Sequence, residues 1–431
     1  MKKVAFHTLG CKTNLYETNG MIQKFLEAKY EIVDFDQFAD IYVINTCTVT
    51  NVSDRKSRQM LRRAKEVNQN ALVVAVGCYA QVAKEDLEQI EEIDLILGTN
   101  EKKDIVNYIE KYLEDNENNI ELDDVLHNPE YSDFGAVSYT EKTRAVIKVQ
   151  DGCDRFCSYC IIPYARGRVR SRKPKSIIEE ATKISSEGIK EIVITGIHIA
   201  SYGKDFKEDY ALIDLLEELN KVEGLERIRL GSIEPLLITD EFVERLIKLE
   251  KVCHHFHLSL QSGCTQTLKR MNRRYTAEEF EEVTKRLRKA YNNAILTTDI
   301  IVGFPGETDE EFEETYKFLS KTKFYKMHVF KYSVRKGTKA ASMKNQVRGD
   351  IKELRSKRLL ELSDKNEKEY LDTYIGQTVK VLFEEEVDGK LKGHTENYIM
   401  VSAKSTEDLS NQIKAVCIEG IEGLELTGIV N

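Results

Sequence analysis

Cys153, Cys157 and Cys160 stand in the run Gly152-Cys153-Asp154-Arg155-Phe156-Cys157-Ser158-Tyr159-Cys160, directly after the apolar stretch Ala145–Val149. The spacing C-x3-C-x2-C on one loop lets three thiolates converge on one metal centre, the donor set of iron–sulfur and zinc sites. The count of three matters. A four-iron cluster held by three cysteines keeps one iron open for another ligand. A structural zinc ion asks for a fourth Cys or His nearby, and none occurs between Ile161 and His198. A zinc site and unconnected buried thiols are the alternatives this run leaves.

The surrounding pattern is strand then helix, repeated, from Thr143 to about Lys331. Ala145–Val149, Ile192–Thr195, Ile228–Leu230, Phe256–Leu260, Ile295–Val302 and His328–Phe330 read as strands. Ile177, Ile178, Ala181 and Ile184 fall on one helical face that Gly188 ends, and Leu212, Leu215, Leu216 and Leu219 form a second stripe before Gly224. Six strands leading into helices imply a parallel sheet with right-handed crossovers. That is an incomplete version of the eight-fold barrel, whose chemistry sits at the C-terminal ends of strands. The three cysteines follow the first strand.

Residues 1–125 alternate in the same way, with strands at Val4–Thr8, Ile41–Asn45, Leu72–Val76 and Leu95–Leu97 and helices around Met21–Ala28, Asp54–Val67 and Asp104–Leu113. A doubly wound α/β domain is expected. Acidic residues crowd Glu110–Asp133, including Leu113-Glu114-Asp115-Asn116-Glu117-Asn118, and read as a solvated hinge. Residues 140–370 form the central domain. Residues 372–431 differ: Thr378–Glu385, Lys390–His394, Tyr398–Ala403 and Gln412–Cys417 read as short strands, with Asp388-Gly389 as a hairpin turn. This is a small all-β module, either a barrel that binds oligonucleotides or a structural cap.

A second trio is dispersed. Cys11, Cys47 and Cys78 each follow an apolar strand, in Phe6-His7-Thr8-Leu9-Gly10-Cys11, Val43-Ile44-Asn45-Thr46-Cys47 and Val74-Ala75-Val76-Gly77-Cys78. Open parallel sheets place ligands beyond the carboxyl ends of their strands, so the three could meet. Buried cysteines at strand ends are also common as small hydrophobes. Cys253, Cys264 and Cys417 read that way. Of His254, His255 and His257, alternation lets only the last two share a face, and the group reads as structural.

The C-x3-C-x2-C run with Tyr159 before its third cysteine resembles the radical S-adenosylmethionine (SAM) superfamily. With His7-Thr8-Leu9-Gly10-Cys11-Lys12-Thr13-Asn14, Asn45-Thr46-Cys47-Thr48-Val49-Thr50 and Gly77-Cys78-Tyr79-Ala80-Gln81, the chain resembles the methylthiotransferase family essentially from end to end. The resemblance implies two [4Fe-4S] clusters, one on Cys153, Cys157 and Cys160 and an auxiliary one on Cys11, Cys47 and Cys78, each with one open iron. It implies two uses of SAM: one molecule methylates a sulfur at the auxiliary site, and another yields a 5′-deoxyadenosyl radical that takes hydrogen from the substrate. A sulfur donor and an electron donor are implied as partners. The C-terminal module resembles the family's TRAM domain, which engages RNA.

Candidate SAM contacts follow from the same blocks: Tyr159, Thr195 and Gly196 in Thr195-Gly196-Ile197-His198, Ser232 and Glu234 in Gly231-Ser232-Ile233-Glu234-Pro235, Gln261, and Asp299. The family pattern at the second barrel strand is Gly-Gly-Glu, from which Thr195-Gly196-Ile197 departs. Each of these polar residues could equally cap a helix or fill a loop. Lys12-Thr13-Asn14, the Thr195–His198 block and Gly393-His394-Thr395-Glu396-Asn397-Tyr398 look most like the branch that adds a methylthio group to C2 of N6-threonylcarbamoyladenosine in tRNA. The runners-up are isopentenyladenosine in tRNA and an aspartate of a ribosomal protein.

Net charge is −9, which excludes blanket electrostatic binding of nucleic acid but not a local basic face. Arg166, Arg168, Arg170 and Arg172 crowd the loop after the radical-type cysteines, and with His394 they are the candidate RNA contacts. The target adenosine would lie in an anticodon loop, where bases can be splayed out for chemistry. Two non-enzymatic readings compete: an iron–sulfur RNA-binding redox sensor, with four protein ligands per cluster, and a zinc-stabilised RNA-binding module. No run approaches the ~18–20 apolar residues of a membrane span, and Met1–His7 is too short in apolar residues for a signal peptide. A cytoplasmic protein with reduced cysteines is expected.

Overall fold

The computed structural model describes residues 1–115, 120–128, 130–137, 143–405 and 407–430. Asn116-Glu117-Asn118 of the acidic stretch and the expected boundary at residue 140 lie outside these.

The N-terminal sheet comprises β1 (Lys3–Thr8), β2 (Glu31–Val33), β3 (Ile41–Thr46), β4 (Leu72–Gly77), β5 (Leu95–Leu97) and β6 (Ile120–Glu121), all parallel, in the order β2-β1-β3-β4-β5-β6. Every residue of β3 and β4 is buried. This is why their sequences are continuous apolar runs: helices cover both faces. One face packs Val4, Val43, Val74 and Val76 with Phe25, and the other packs Ile44, Val73 and Ala75 with Leu61. Helix α1 (Lys12–Glu27) leaves β1 through Cys11, and the helix Asn51–Val67 opens on Thr50, whose hydroxyl accepts from the Ser53 amide. Such a cap contributes about 1 kcal/mol.

The acidic stretch is exposed along much of its described length, at Glu110, Glu114, Asp123, Asp124 and Glu130 among others, but it is also anchored. Val125 and Phe134 are buried, Phe134 fills the space beside Gly20, and Asp133 pairs with Arg172. The segment is tied down between the two domains.

The central domain holds β7 (Arg144–Asp151), a short antiparallel β8 (Arg170–Ser171), β9 (Glu191–Gly196), β10 (Arg227–Leu230), β11 (His255–Gln261), β12 (Ile295–Val302) and β13 (Lys326–Lys331). They lie in two sheets, β10-β9-β7-β8 and β11-β12-β13. Isolated parallel bridges Ile228–Val252 and Ile233–Leu258 join the halves. The six parallel strands therefore follow one another in chain order, as an open (β/α)6 barrel requires. Their outer residues, among them Ile147, Ile194, Ile228, Leu258 and Ile300, pack under the helices. Two of those helices open on full capping boxes, Thr276 with Glu279 and Thr308 with Glu311.

The helix Gly349–Asp372 then runs back along β13 and hands the chain to a closed barrel of β14 (Thr378–Val387), β15 (Lys390–Thr395), β16 (Met400–Lys404), β17 (Ile413–Glu422) and β18 (Glu425–Val430). Closure pairs every strand on both sides and removes exposed edges.

Candidate functional site

Cys153, Cys157 and Cys160 lie on the loop leaving β7. Backbone bonds hold that loop: the Cys153 amide donates to Gly167 O (3.0 Å), the Ser158 amide to Met271 O (3.0 Å), and the Ala340 amide to Ser158 O (2.7 Å). Phe156 adopts φ 45°, a left-handed conformation unusual for a bulky residue and one that sharpens the turn between two cysteines. Burial pushes the Cys153 thiol up to about 11 and the Cys160 thiol up to about 12, with Cys157 acting in the same direction on both. As free thiols these groups hold their protons at neutral pH, and a metal would take them as thiolates with proton release. Arg273 donates from Nη1 to Cys157 Sγ at 3.2 Å, and from Nη2 to Ser259 O at 3.1 Å. A cation and an N–H donor aimed at sulfur suit a thiolate-bound, electron-accepting cluster.

The remaining candidates spread around this loop. Thr195 and Gly196 end β9, Gln261 ends β11 at φ +75°, and Ser232 is exposed on the loop after β10. Glu234 is buried. It takes Arg155, approaches His198 Nε2 (3.1 Å), and stands 4.0 Å from Arg273. Burial would raise its carboxyl, but His198, Arg155 and Arg273 together hold it below the usual carboxylate range. Tyr159 meets Phe304 edge-on at 6.4 Å. Asp299 sits mid-strand, with Oδ2 3.1 Å from His257 Nε2.

The second trio shares one end of its sheet. β1, β3 and β4 are consecutive neighbours in the sheet, so Cys11, Cys47 and Cys78 leave three adjacent strand ends. The first two flank the point where strand order reverses, the place such sheets keep for ligands. Gly10 makes the approach possible: at φ +100° it passes so close that a Cβ there would lie 2.7 Å from Cys47 Sγ. Cys47 and Cys78 are buried and Cys11 is exposed. Burial raises the thiols of the first two, and Cys11 acts on both. Among the described residues no group of three such side chains closes on a single ion. A cluster, whose cysteines bind separate iron atoms, does not ask for that. Both trios thus fit a three-thiolate iron–sulfur cluster.

Between the trios lies a buried charge cluster that sequence patterning does not reveal. Glu17 of α1 receives Lys102 (2.5 Å), Lys148 (2.7 Å) and Arg166 (2.6 Å), and Lys148 and Arg166 also hold Asp151 at 2.6 and 3.2 Å. Arg166 ends the short helix Ile162–Arg166 that begins just after Cys160. Its Nε–H donates to Cys78 Sγ at 3.2 Å and its Nη2 to Asn14 Oδ1 at 2.6 Å. One side chain of the central domain therefore reaches a cysteine of the N-terminal one.

This corrects the expected RNA contacts. Arg166, Arg170 and Arg172 are at most 1 % exposed. Arg170 binds Asn100 and Glu130 O, while Arg172 binds Glu180, Asp133 and Tyr16. All three are buried at the domain interface, where only Arg170 Nε among their nitrogens lacks a partner, and they present nothing to a phosphate. Arg168 alone of the four is exposed, lying over the Phe156 ring at 4.7 Å. His394 is not at an open surface either. Its Nδ1 lies 2.6 Å from Glu384 Oε1 and its ring stacks on Tyr398 at 4.6 Å.

The concave face of the open barrel is polar. In β11 the residues Phe256, Leu258 and Leu260 are fully buried, whereas His257, Ser259 and Gln261, which alternate with them, are part-exposed. Two of the three histidines read as structural belong here: His255 Nε2 and His257 Nδ1 both meet Thr297 Oγ1, at 3.2 and 2.9 Å, and His328 stands 5.5 Å from His257, whereas His254 meets Asn293 Oδ1 at 2.7 Å. Tyr398 of the C-terminal barrel closes the far end, under Arg229 (4.7 Å) and Arg144 (5.1 Å). The contacts made by Arg273, Glu17 and Tyr398 are not evident from the sequence. The spacing Cys11–Asn14–Glu17, one face of a helix, was the available signal for the second.

Comparison with known proteins agrees with this architecture. The Radical SAM superfamily matches residues 147–319, and an uncharacterized protein family, UPF0004, matches residues 3–98. A threonylcarbamoyladenosine tRNA methylthiotransferase, MtaB, of Bacillus subtilis is 45% identical over 97% of this chain and 94% of its own length. A tRNA-2-methylthio-N(6)-dimethylallyladenosine synthase of Protochlamydia amoebophila is 34% identical over 99% and 96%. Among solved structures, the radical SAM methyltransferase TsrM of Kitasatospora setae, with cobalamin and a [4Fe-4S] cluster bound, superposes with a TM-score of 0.59 at 13% identity over 79% of this chain and 77% of its own, a likeness of fold. With two three-cysteine sites on the matched domains and relatives spanning nearly its whole length, the chain belongs to the methylthiotransferase family of radical SAM proteins.

Proposed function

We propose that this chain is a tRNA methylthiotransferase that adds a methylthio group to C2 of N6-threonylcarbamoyladenosine beside the anticodon. The observation that carries the reading is Arg166: a five-residue helix starting next to Cys160 ends on a guanidinium bonded to Cys78. Two thiolate sites linked through one side chain can serve one substrate. The substrate branch follows the more similar relative, 45% against 34% identical.

In this reading residues 1–125 hold the auxiliary [4Fe-4S] cluster on Cys11, Cys47 and Cys78. Residues 140–370 hold the second on Cys153, Cys157 and Cys160, and residues 372–431 are a TRAM-like RNA-binding domain. When bound, the clusters and SAM supply radical formation at one site and the methylthio group at the other. The chain's own residues bind, orient and shield. Arg273 and Arg166 each place an N–H on one cluster cysteine. Tyr159, Thr195, Gly196, Ser232, Glu234, Gln261 and Asp299 surround the space for SAM. The concave face of β11 and β12 receives the base, held away from bulk water under α1. Arg168, which pairs loosely with Asp154 at 3.4 Å, and the exposed Lys269 and Arg274 face solvent, where they can meet phosphates. A sulfur donor and an electron donor complete the reaction, and the site of action is the cytoplasm. Among the described residues no helix is long and apolar enough to cross a membrane.

Mass spectrometry of tRNA nucleosides from cells with and without the protein tests this. Loss of the methylthio nucleoside, with its unthiolated precursor accumulating, is the expected result. An unchanged nucleoside would discard the branch. Cys157→Ala should abolish SAM cleavage, whereas Cys47→Ala should cleave SAM without yielding thiolated product.

A further inference from the structure

Arg166 has a counterpart on the loop after β13. Arg335 of that loop, 7% exposed, reaches across to the N-terminal domain. Its Nη1 donates to Asn51 Oδ1 at 2.8 Å and to Asp54 Oδ2 at 2.6 Å, and its Nη2 donates to Thr48 Oγ1 at 2.5 Å. Thr48 follows Cys47 directly, and Asn51 and Asp54 lie in the first turn of the helix Asn51–Val67. That helix also grips the cysteine: Ser57 Oγ donates to Cys47 O at 3.3 Å and accepts from the Cys47 amide at 3.4 Å. At its other end the Arg335 loop is bonded to the radical-type cysteines. Thr338 Oγ1 donates to Arg335 O at 2.8 Å. Two residues further on, the buried Ala340 donates its amide to Ser158 O at 2.7 Å, between Cys157 and Cys160. A continuous run of bonds therefore joins Cys47 to the other cysteine loop.

We propose that Arg335 is a positioning residue: it fixes where the auxiliary site stands relative to the radical site, and so decides how many of the radicals formed end in thiolated product. The assignment rests on the two-site reaction proposed above. Beside Arg335 a cleft of about 690 Å³ opens, with Asp54 and Tyr79 of one domain and Ile161, Tyr164 and Lys336 of the other among its walls. On this side the domains face each other across a gap, so the Arg335 bonds carry their alignment. Two rigid bodies attached at one point can pivot about it; Arg166 at Cys78 and Arg335 behind Cys47 are two points, which fix the angle. A guanidinium fork holds direction as well as distance, which an ammonium does not. Arg335 acts through Thr48 and the helix behind Cys47, not on a reacting atom. Misplacement by about 1 Å can cost roughly 100-fold in a step that needs two reactants aligned, whereas cleavage of SAM needs the radical site alone.

The test compares anaerobically reconstituted Arg335→Met and Arg335→Lys with the unaltered protein. Three quantities are read: iron content, thiolated nucleoside formed per 5′-deoxyadenosine, and the dipolar coupling between the two reduced clusters by pulsed electron paramagnetic resonance. Arg335→Met should keep both clusters and the cleavage of SAM, give about tenfold less product per deoxyadenosine, and broaden the distribution of distances between the clusters. Arg335→Lys should fall between. A residue that only stabilised the fold would lower the denaturation midpoint and leave the ratio and the distances where they were. If either stays unchanged, the assignment is overturned. Should Arg335→Met fail to hold the auxiliary iron, Asp54→Asn, which removes the charge of one acceptor at nearly constant volume, takes its place under the same criteria. Unaltered protein that cleaves SAM but thiolates no nucleoside would overturn the proposed reaction, and the distance distributions would still decide the role of Arg335.

Discussion

Arg166 Nε donates to Cys78 Sγ at 3.2 Å from the opposite domain. The same guanidinium gives Nη1 to Glu17 and Asp151 and Nη2 to Asn14 and Glu17. Each nitrogen thus has a partner, and the fork cannot turn without breaking several bonds at once. Arg166→Lys keeps the charge and loses the fork. The auxiliary cluster should then shift to a lower reduction potential while the radical-site cluster keeps its own, because a donor to sulfur stabilises the more negative, reduced state. Outer partners of this kind typically change affinity or activity by roughly 10–100-fold. Potentiometric titration followed by electron paramagnetic resonance reads both clusters, and an unmoved auxiliary potential would refute the role.

Glu17 is the single anion shared by Lys102, Lys148 and Arg166, with Asp151 helping the last two. Glu17→Gln leaves a surplus buried cation. Breaking such a cluster from one side costs about 3–5 kcal/mol. The denaturation midpoint of the cluster-free protein should fall accordingly, and small-angle scattering should show the N-terminal domain leaving the barrel.

The same residues set an acid limit. Burial alone would raise Glu17 and Asp151, but Arg166, Lys102 and Lys148 around the first, and Lys148, Arg166 and Arg170 around the second, hold both below their ordinary values of 4.5 and 3.8. A depressed carboxyl contributes stability that is fully present above its unfolded value and is lost as pH falls through the folded one. Stability of the cluster-free protein should therefore hold down to about pH 5 and decline below pH 4.5. Glu17→Gln should flatten that decline. An equally steep fall in the variant would assign acid sensitivity elsewhere.

The sequence made the strand ends legible because a buried parallel strand must be apolar, so a Cys after Val43–Asn45 or Val74–Gly77 is marked by contrast. Partners distant in the chain were not legible. Arg166 and Arg172 look like a basic surface loop, since nothing local shows that Glu17 lies 149 residues upstream or that Asp133 belongs to the interface. Strand β18 escaped notice because Gly428 interrupts its β-branched run. The missing side chain is what lets Cys417 O approach to 2.2 Å from where a Cβ would stand. The helix Gly349–Asp372 was hidden by its charge, as only residues such as Leu359, Leu362 and Leu371 reach a core.

Gly10 offers the sharpest separation of the two metal sites. An alanine there would have to hold φ near +100° and bring its Cβ within 2.7 Å of Cys47 Sγ and 2.8 Å of Cys47 Cβ. Left-handed strain costs of order 1–3 kcal/mol, and relief requires Cys47 to withdraw from Cys11. The loop of Cys153, Cys157 and Cys160 is held by its own bonds to Gly167, Met271 and Ala340, none of which involves Gly10. Reconstituted Gly10→Ala should therefore hold about half the iron of the unaltered protein, still cleave SAM, and form no thiolated nucleoside. Iron analysis beside assays for 5′-deoxyadenosine and product distinguishes this from general misfolding, in which both clusters and both activities disappear together. Full iron and full thiolation in the variant would mean that Cys11 and Cys47 need not approach each other, and the auxiliary site would have to be sought elsewhere.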